Sequence, residues 1–188
     1  MKIISKWRLK DVVTITIISF FLGMIFLFFD WIYTFAYAVL AGFGLGPLVG
    51  EILFGLWSMG GPLAYMIVRL PGSALFSETV GAAVESLAGG QFGMLALIAG
   101  FFQGFGSELG FALFKYKKFS LKQLLCASIC STIITFASAL YIHSYIKLKF
   151  DVLITFFSIR LLSNLVFSVG LVYLIWRSCV KAGLINEN

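Results

Sequence analysis

Charge is scarce in this sequence. Aspartate, glutamate, lysine and arginine make up 12% of its 188 residues, where soluble domains carry about 25%. With 61% hydrophobic residues and a mean hydropathy of +1.03, the chain reads as an all-α integral membrane protein. Cysteine occurs three times, and Cys126, Cys130 and Cys179 all fall in apolar runs without a CxxC pair. That excludes a disulfide framework or cysteine zinc site and leaves them as small packing residues. The single histidine, His143, has no cysteine neighbours to complete a metal site. The GxxxxGK[ST] phosphate loop is missing, as are HExxH and GxSxG, so neither ATP hydrolysis nor a familiar hydrolase chemistry is expected, and no cofactor or metal is implied.

What is present is long apolar runs. The first follows a basic "KIISKWRLK" and contains "AYA" at 36–38, which imitates a secretory signal. It spans 12–37, well beyond the roughly 7–15 residues of a signal core, so it is read as a spanning helix. Glycine-rich or charged breaks divide the chain into six expected spans, at about 12–37, 46–68, 72–88, 93–115, 121–144 and 150–177, forming one six-helix transmembrane domain over 1–188. Eleven of the fourteen basic residues, Lys2, Lys6, Arg8, Lys10, Arg69, Lys115, Lys117, Lys118, Lys122, Arg177 and Lys181, fall on one side of that arrangement. That side is expected to be the cytoplasm, with both termini inside; the net charge of +6 is thus a topology signal rather than a nucleic-acid footprint.

Against this background the acids stand out. Asp30, Glu51, Glu78, Glu85 and Glu108 lie inside the expected spans, where each lipid-facing carboxylate would cost roughly 2.5–3.5 kcal/mol or more. They must face inward. Asp30, Glu51 and Glu85 fall in the outer half of the membrane; Glu78 lies near the middle, seven residues before Glu85 and on the same helix face. Gly100-x-x-x-Gly104 and Gly106-x-x-x-Gly110 point to close helix contacts beside Gln103. In the first span, Ser19-x-x-x-Gly23 is a second small-residue seam, which either docks another membrane subunit or packs inside the bundle.

The candidate binding residues are Glu51, Trp57, Glu78, Glu85, Gln103, Tyr141, Tyr145, Arg160 and Asn164. Carboxylates, amides and aromatic faces together suit a flat, cationic, hydrogen-bonding heterocycle. Three alternatives accompany this reading: Arg160 pairs with Glu78 or Glu85 to neutralise a buried charge, Trp57 is packing, and His143 is interfacial. The rival classes are a self-sufficient proton-coupled carrier using Glu78 or Glu108, and an intramembrane enzyme using Glu78, Glu85 and His143.

The segments "FGLWSMGGPLAYMIVRLPGSALFSETVGAAVESLAGG" and "FFQGFGSELGF" resemble the YkoE family of substrate-binding S components of energy-coupling factor (ECF) vitamin transporters, with "RLPGSAL", "VES" and "QGFGSE" the densest matches. The resemblance implies a multi-pass protein of the bacterial cytoplasmic membrane. It would capture thiamin or its hydroxymethylpyrimidine precursor and work with two ATPase subunits and a transmembrane coupling subunit. It also implies that the Ser19/Gly23 seam is the place where the coupling subunit docks.

The charge pattern makes a direct prediction. In a background lacking native cysteine, Gly44→Cys, Gln91→Cys and Lys147→Cys should react with an impermeant thiol reagent applied from outside. Labelling of Lys118→Cys from that side would invert the arrangement.

Overall fold

The computed structural model describes residues 7–117 and 119–185; Lys2, Lys6 and Lys118 of the charge argument lie outside the described residues. Among the described residues eight α-helices follow one another: α1 Leu9–Ala41, α2 Gly46–Trp57, α3 Gly60–Val68, α4 Ser73–Leu87, α5 Met94–Leu113, α6 Leu121–Ile142, α7 Phe150–Asn164 and α8 Val172–Lys181. A 3-10 turn, Tyr145–Lys147, precedes α7, and a π-helical segment, Leu165–Leu171, joins α7 to α8 without interruption. Five stretches of the described residues are long and apolar enough to cross a membrane: Leu9–Ala41, Gly46–Val68, Met94–Leu113, Leu121–Ile142 and Phe150–Lys181. The sixth expected span, at 72–88, corresponds to α4, whose 15 residues extend only about 22 Å.

Several expected boundaries move for identifiable reasons. The first helix starts at Leu9 because the Arg8 backbone N–H donates to the Asp11 carboxylate at 3.0 Å, closing the first turn. The second span breaks after Trp57. Pro62 has no N–H to donate to the Ser58 carbonyl and its ring crowds that oxygen, so the helix stops and restarts at Gly60. A restart inside an apolar bundle exposes backbone donors, and Glu78 of α4 accepts the Gly61 N–H at 2.9 Å. The next restart is handled in the same way. At the "RLPG" turn, Glu108 of α5 accepts from the backbone N–H groups of Gly72, Ala74 and Leu75 at 2.6, 3.0 and 3.3 Å, capping α4 from a neighbouring helix. Trp7 fastens the same turn through its indole N–H to the Pro71 carbonyl, at 3.1 Å.

The glycines of α5 allow close approach on two sides. Gly100 and Gly104 press on α4 at Ala82, Glu78 and Leu75, while Gly106 and Gly110 press on α6 at Ser131 and Ala127. At the far side of the bundle, Ser163 of α7 accepts the Gly55 N–H at 2.9 Å and donates to the Ile52 carbonyl at 2.6 Å; Ser168 donates to the Gly55 carbonyl at 3.1 Å. These bonds stitch α2 to the end of α7 and to the π-helical segment, a feature the apolar pattern of the last span does not announce.

The Ser19/Gly23 seam faces inward, which corrects its assignment as a docking surface. Ser19 is fully buried and donates to Ile15 O at 2.7 Å while lying 3.0 Å from the Ser77 hydroxyl of α4. A Cβ added at Gly23 would come within 2.5 Å of the Gly81 carbonyl oxygen and 2.7 Å of the Val84 side chain. The small residues are used up by the α1–α4 contact, and the face that α1 turns outward is bulky, with Phe20, Phe21, Phe28, Trp31 and Phe35 all more than half exposed. Gly23→Leu is therefore expected to lower the melting temperature of the purified protein and its ligand affinity together. An unchanged melting temperature for that variant would show that α1 can leave α4.

Candidate functional site

A cavity of about 370 Å³ opens at the end of the bundle that carries the α1–α2, α4–α5 and α6–α7 turns. Its wall has two polar poles separated by aromatic rings. At the first, Glu51 of α2 and Arg160 of α7 form a two-pronged ion pair, Nε to Oε2 at 2.5 Å and Nη2 to Oε1 at 2.7 Å. The Tyr145 hydroxyl, brought in by the 3-10 turn, donates to Glu51 Oε1 at 2.8 Å. The guanidinium lies between the rings of Phe54 and Phe136, 4.6 and 5.2 Å from their centroids. Arg160 and Glu51 are 5% and 1% exposed, so each charge has the other as its counter-ion in a site nearly closed to solvent.

The second pole is acidic. Glu85, near the end of α4, lines the cavity while only 3% exposed, and Asp30 of α1 lies beside it behind the wall. The α4–α5 loop holds Asp30 in place: the Gln91 N–H donates to Asp30 Oδ2 at 3.2 Å, and the Gln91 amide donates to the Asp30 carbonyl at 2.9 Å. Thr34 completes the clasp by donating to Gln91 Oε1 at 2.8 Å. Three rings, Tyr33, Trp57 and Phe92, meet edge to face in the same wall with centroids 5.1–6.0 Å apart. The arrangement offers π-faces beside a carboxylate, the combination that receives a cationic ring.

Six of the nine residues picked from the sequence line this cavity: Glu51, Trp57, Glu85, Gln103, Tyr145 and Arg160. Three do not. Glu78 is completely buried beneath it, engaged with the start of α3. Asn164 packs between α7 and α6, its amide donating to Ser128 O at 3.0 Å and Thr132 Oγ1 at 2.9 Å. Tyr141 is 75% exposed on the outer surface of α6. The expected partner of Arg160 also changes, from Glu78 or Glu85 to Glu51, since α7 packs on α2. His143, read as interfacial, lines the cavity. Tyr33 and Phe92 escaped notice; Tyr33 and Tyr37 share with Asp30 one face of α1, a signal present in their spacing, whereas nothing local marks Phe92.

The description "ABC-type cobalt transport system, permease component" fits residues 10–134. Over 182 residues the chain is 30% identical to a Bacillus subtilis (strain 168) protein named "Putative HMP/thiamine permease protein YkoE", covering 97% of this chain and 89% of that one. A solved structure titled "Crystal structure of an S-component of ECF transporter" superposes with a TM-score of 0.86 at 30% identity, covering 96% of this chain and 89% of that chain. This chain belongs to the YkoE family of ECF-transporter S components. As a YkoE-family S component it is a multi-pass transport protein of the cytoplasmic membrane, and the cavity is the feature of its fold suited to holding a small molecule. Among the described residues, no three His, Cys, Asp or Glu side chains gather as a metal-ligand set.

The ion pair makes a prediction of its own. Glu51→Gln leaves the Arg160 charge buried without its counter-ion and is expected to destabilise the protein by about 3 kcal/mol. A double replacement, Glu51→Leu with Arg160→Met, should recover most of that loss in thermal unfolding. Equal losses for the single and double variants would show that the pair contributes more than charge compensation.

Proposed function

We propose that this chain is the substrate-capturing subunit of an ECF-type ABC importer. It binds thiamin or its hydroxymethylpyrimidine precursor from outside and delivers it through two ATPase subunits and a transmembrane coupling subunit. On this reading α4 counts as the sixth membrane element, both termini are cytoplasmic, and the cavity opens to the outside, as the distribution of lysine and arginine favours.

The observation that carries the proposal is the Glu85 carboxyl, buried in the cavity wall beside Tyr33, Trp57 and Phe92 and, among the described residues, without a protein cation opposite it, since Arg160 is bound to Glu51. A positively charged heterocycle supplies what that wall lacks: a cation for the carboxylate, donors for its oxygens and a flat face for the rings. The aromatic lining favours an organic cation over a bare metal ion, and the names carried by the relative point the same way. The two rival classes lose their residues. Glu78 and Glu108, the groups a proton-coupled carrier would use, both cap helix starts, and Glu78 does not share the cavity with Glu85 and His143 as an enzyme would need.

Calorimetric titration of the purified protein with thiamin tests the proposal. Glu85→Gln keeps the shape and removes the charge, and the expected loss is about 1.5–3 kcal/mol, roughly ten- to a hundredfold in affinity. Trp57→Ala should weaken binding too, whereas Tyr141→Ala, on the outer surface, should not. Unaltered affinity in the first two variants would remove the cavity from the binding event. Uptake without copurifying ATPases would favour a self-sufficient carrier.

A further inference from the structure

The charges around the cavity do not balance. Among the described residues its one lysine or arginine is Arg160, and both of that side chain's short bonds go to Glu51. Glu85 is left facing the cavity with Asp30 at its side. Asp30 Oδ2 and Glu85 Cγ each lie 3.0 Å from the point that a Cβ on Gly90 would occupy, which puts these two atoms no more than twice that distance apart. Gly90 is what lets the loop pass this close. Asp30 is 1% exposed; its Oδ2 receives the Gln91 N–H, while its buried Oδ1 makes no hydrogen bond of good geometry, the neighbouring indole N–H being that of Trp57.

Two ionised carboxylates offer each other only acceptors, so their contact is satisfied when a proton lies between them. Like charges this close in a medium of low dielectric cannot both persist without a counter-ion. Among the described residues the neighbouring elements supply none. Apart from the pair, the titratable groups facing this region are Tyr33 and Tyr37 on α1, Glu51 on α2, Glu78 on α4, His143 and Tyr145 after α6, and Arg160 on α7; α5 and the α4–α5 loop present only the amides Gln103 and Gln91. We propose that Asp30 and Glu85 hold one proton between them when the cavity is empty and give it up when the cationic group of a substrate takes its place. The proton passes to water at the cavity mouth, one positive charge replaces another, and the net charge of the site is conserved. This makes Asp30, which lines no part of the cavity, a positioning residue that sets how Glu85 selects for charge. The inference rests on the reading of the cavity as a site for an organic cation.

The consequences are measurable on the full chain in detergent, with thiamin as the probe. Because the empty site binds one proton more than the occupied site, affinity should rise by up to tenfold per pH unit wherever the pair keeps its proton and level off above that range. Titrations in two buffers of different ionisation enthalpy should report about one proton released per thiamin bound. Without any thiamin, infrared spectra of the empty protein should show a protonated-carboxyl stretch that is missing in Asp30→Asn. That variant keeps an oxygen for the Gln91 N–H and should bind thiamin without proton release and with little dependence on pH. Thiamin heat with no proton release, or an infrared band unchanged by Asp30→Asn, would overturn the proton pair. No thiamin heat, with the band present and lost in the variant, would leave the pair standing and overturn the choice of ligand instead.

Discussion

A helix that begins inside an apolar bundle presents backbone N–H groups with no intrahelical acceptor and no water, and this fold depends on how those groups are answered. It restarts helices at Gly60 and at Ser73, and each time a glutamate from another helix supplies the acceptor. Glu78 of α4 serves α3; Glu108 of α5 serves α4. Each glutamate accepts backbone N–H groups that would otherwise have no acceptor, and each helix start is tied to the next element along the chain. The placement of the cavity follows from this. Ending α2 at Trp57 leaves that ring at the wall, and fixing Glu78 against α3 sets the height of Glu85, two turns further along α4 and about 10 Å away.

The carboxylates therefore divide by neighbour. Those beside a glycine- or proline-marked restart are turned to backbone, Glu78 through Oε1 and Glu108 through both oxygens. Glu51 is consumed by Arg160, whose guanidinium is further held between Phe54 and Phe136. Glu85, among aromatic rings and beside a second acid, is the one left turned toward empty volume. A membrane protein tolerates such a group when a solute completes it, since an unmatched charge in the wall costs stability in the empty state and returns as selectivity when a cation arrives.

Much of this was legible in the residues. Hydropathy located every long apolar element, and the cost of intramembrane charge required the acids to face inward, where all five are found buried or partly buried. The small-residue spacing of α5 correctly implied tight contacts, made on two different sides. What could not be read was pairing. Depth along a span is nearly one-dimensional, and it put Glu78, Glu85 and Arg160 within reach of one another; only the packing of α7 on α2 decides that Glu51 is the partner. Asn164 and Tyr141 were misplaced for the same reason, since rotation about a helix axis is poorly constrained when lipid-facing and core-facing side chains are both apolar. The bonds of Ser163 and Ser168 across to α2, and Phe92 delivered by a loop, depend on contacts far apart in sequence.

The Ser19/Gly23 seam shows how a correct local rule can lead to the wrong surface. Small residues at four-residue spacing do mark a close helix contact, and α1 makes one, with the Gly81 carbonyl and Val84 pressed against Gly23. The rule identifies the contact without identifying the partner. In a bundle whose α4 is short and carries two glutamates, α4 has to be enclosed by protein on nearly every side, and the small face of α1 is what closes it on one of them. The demand to bury Glu78 and Glu85 thus outranks any external use of the seam: moving α1 away from α4 would open both carboxylates to hydrocarbon.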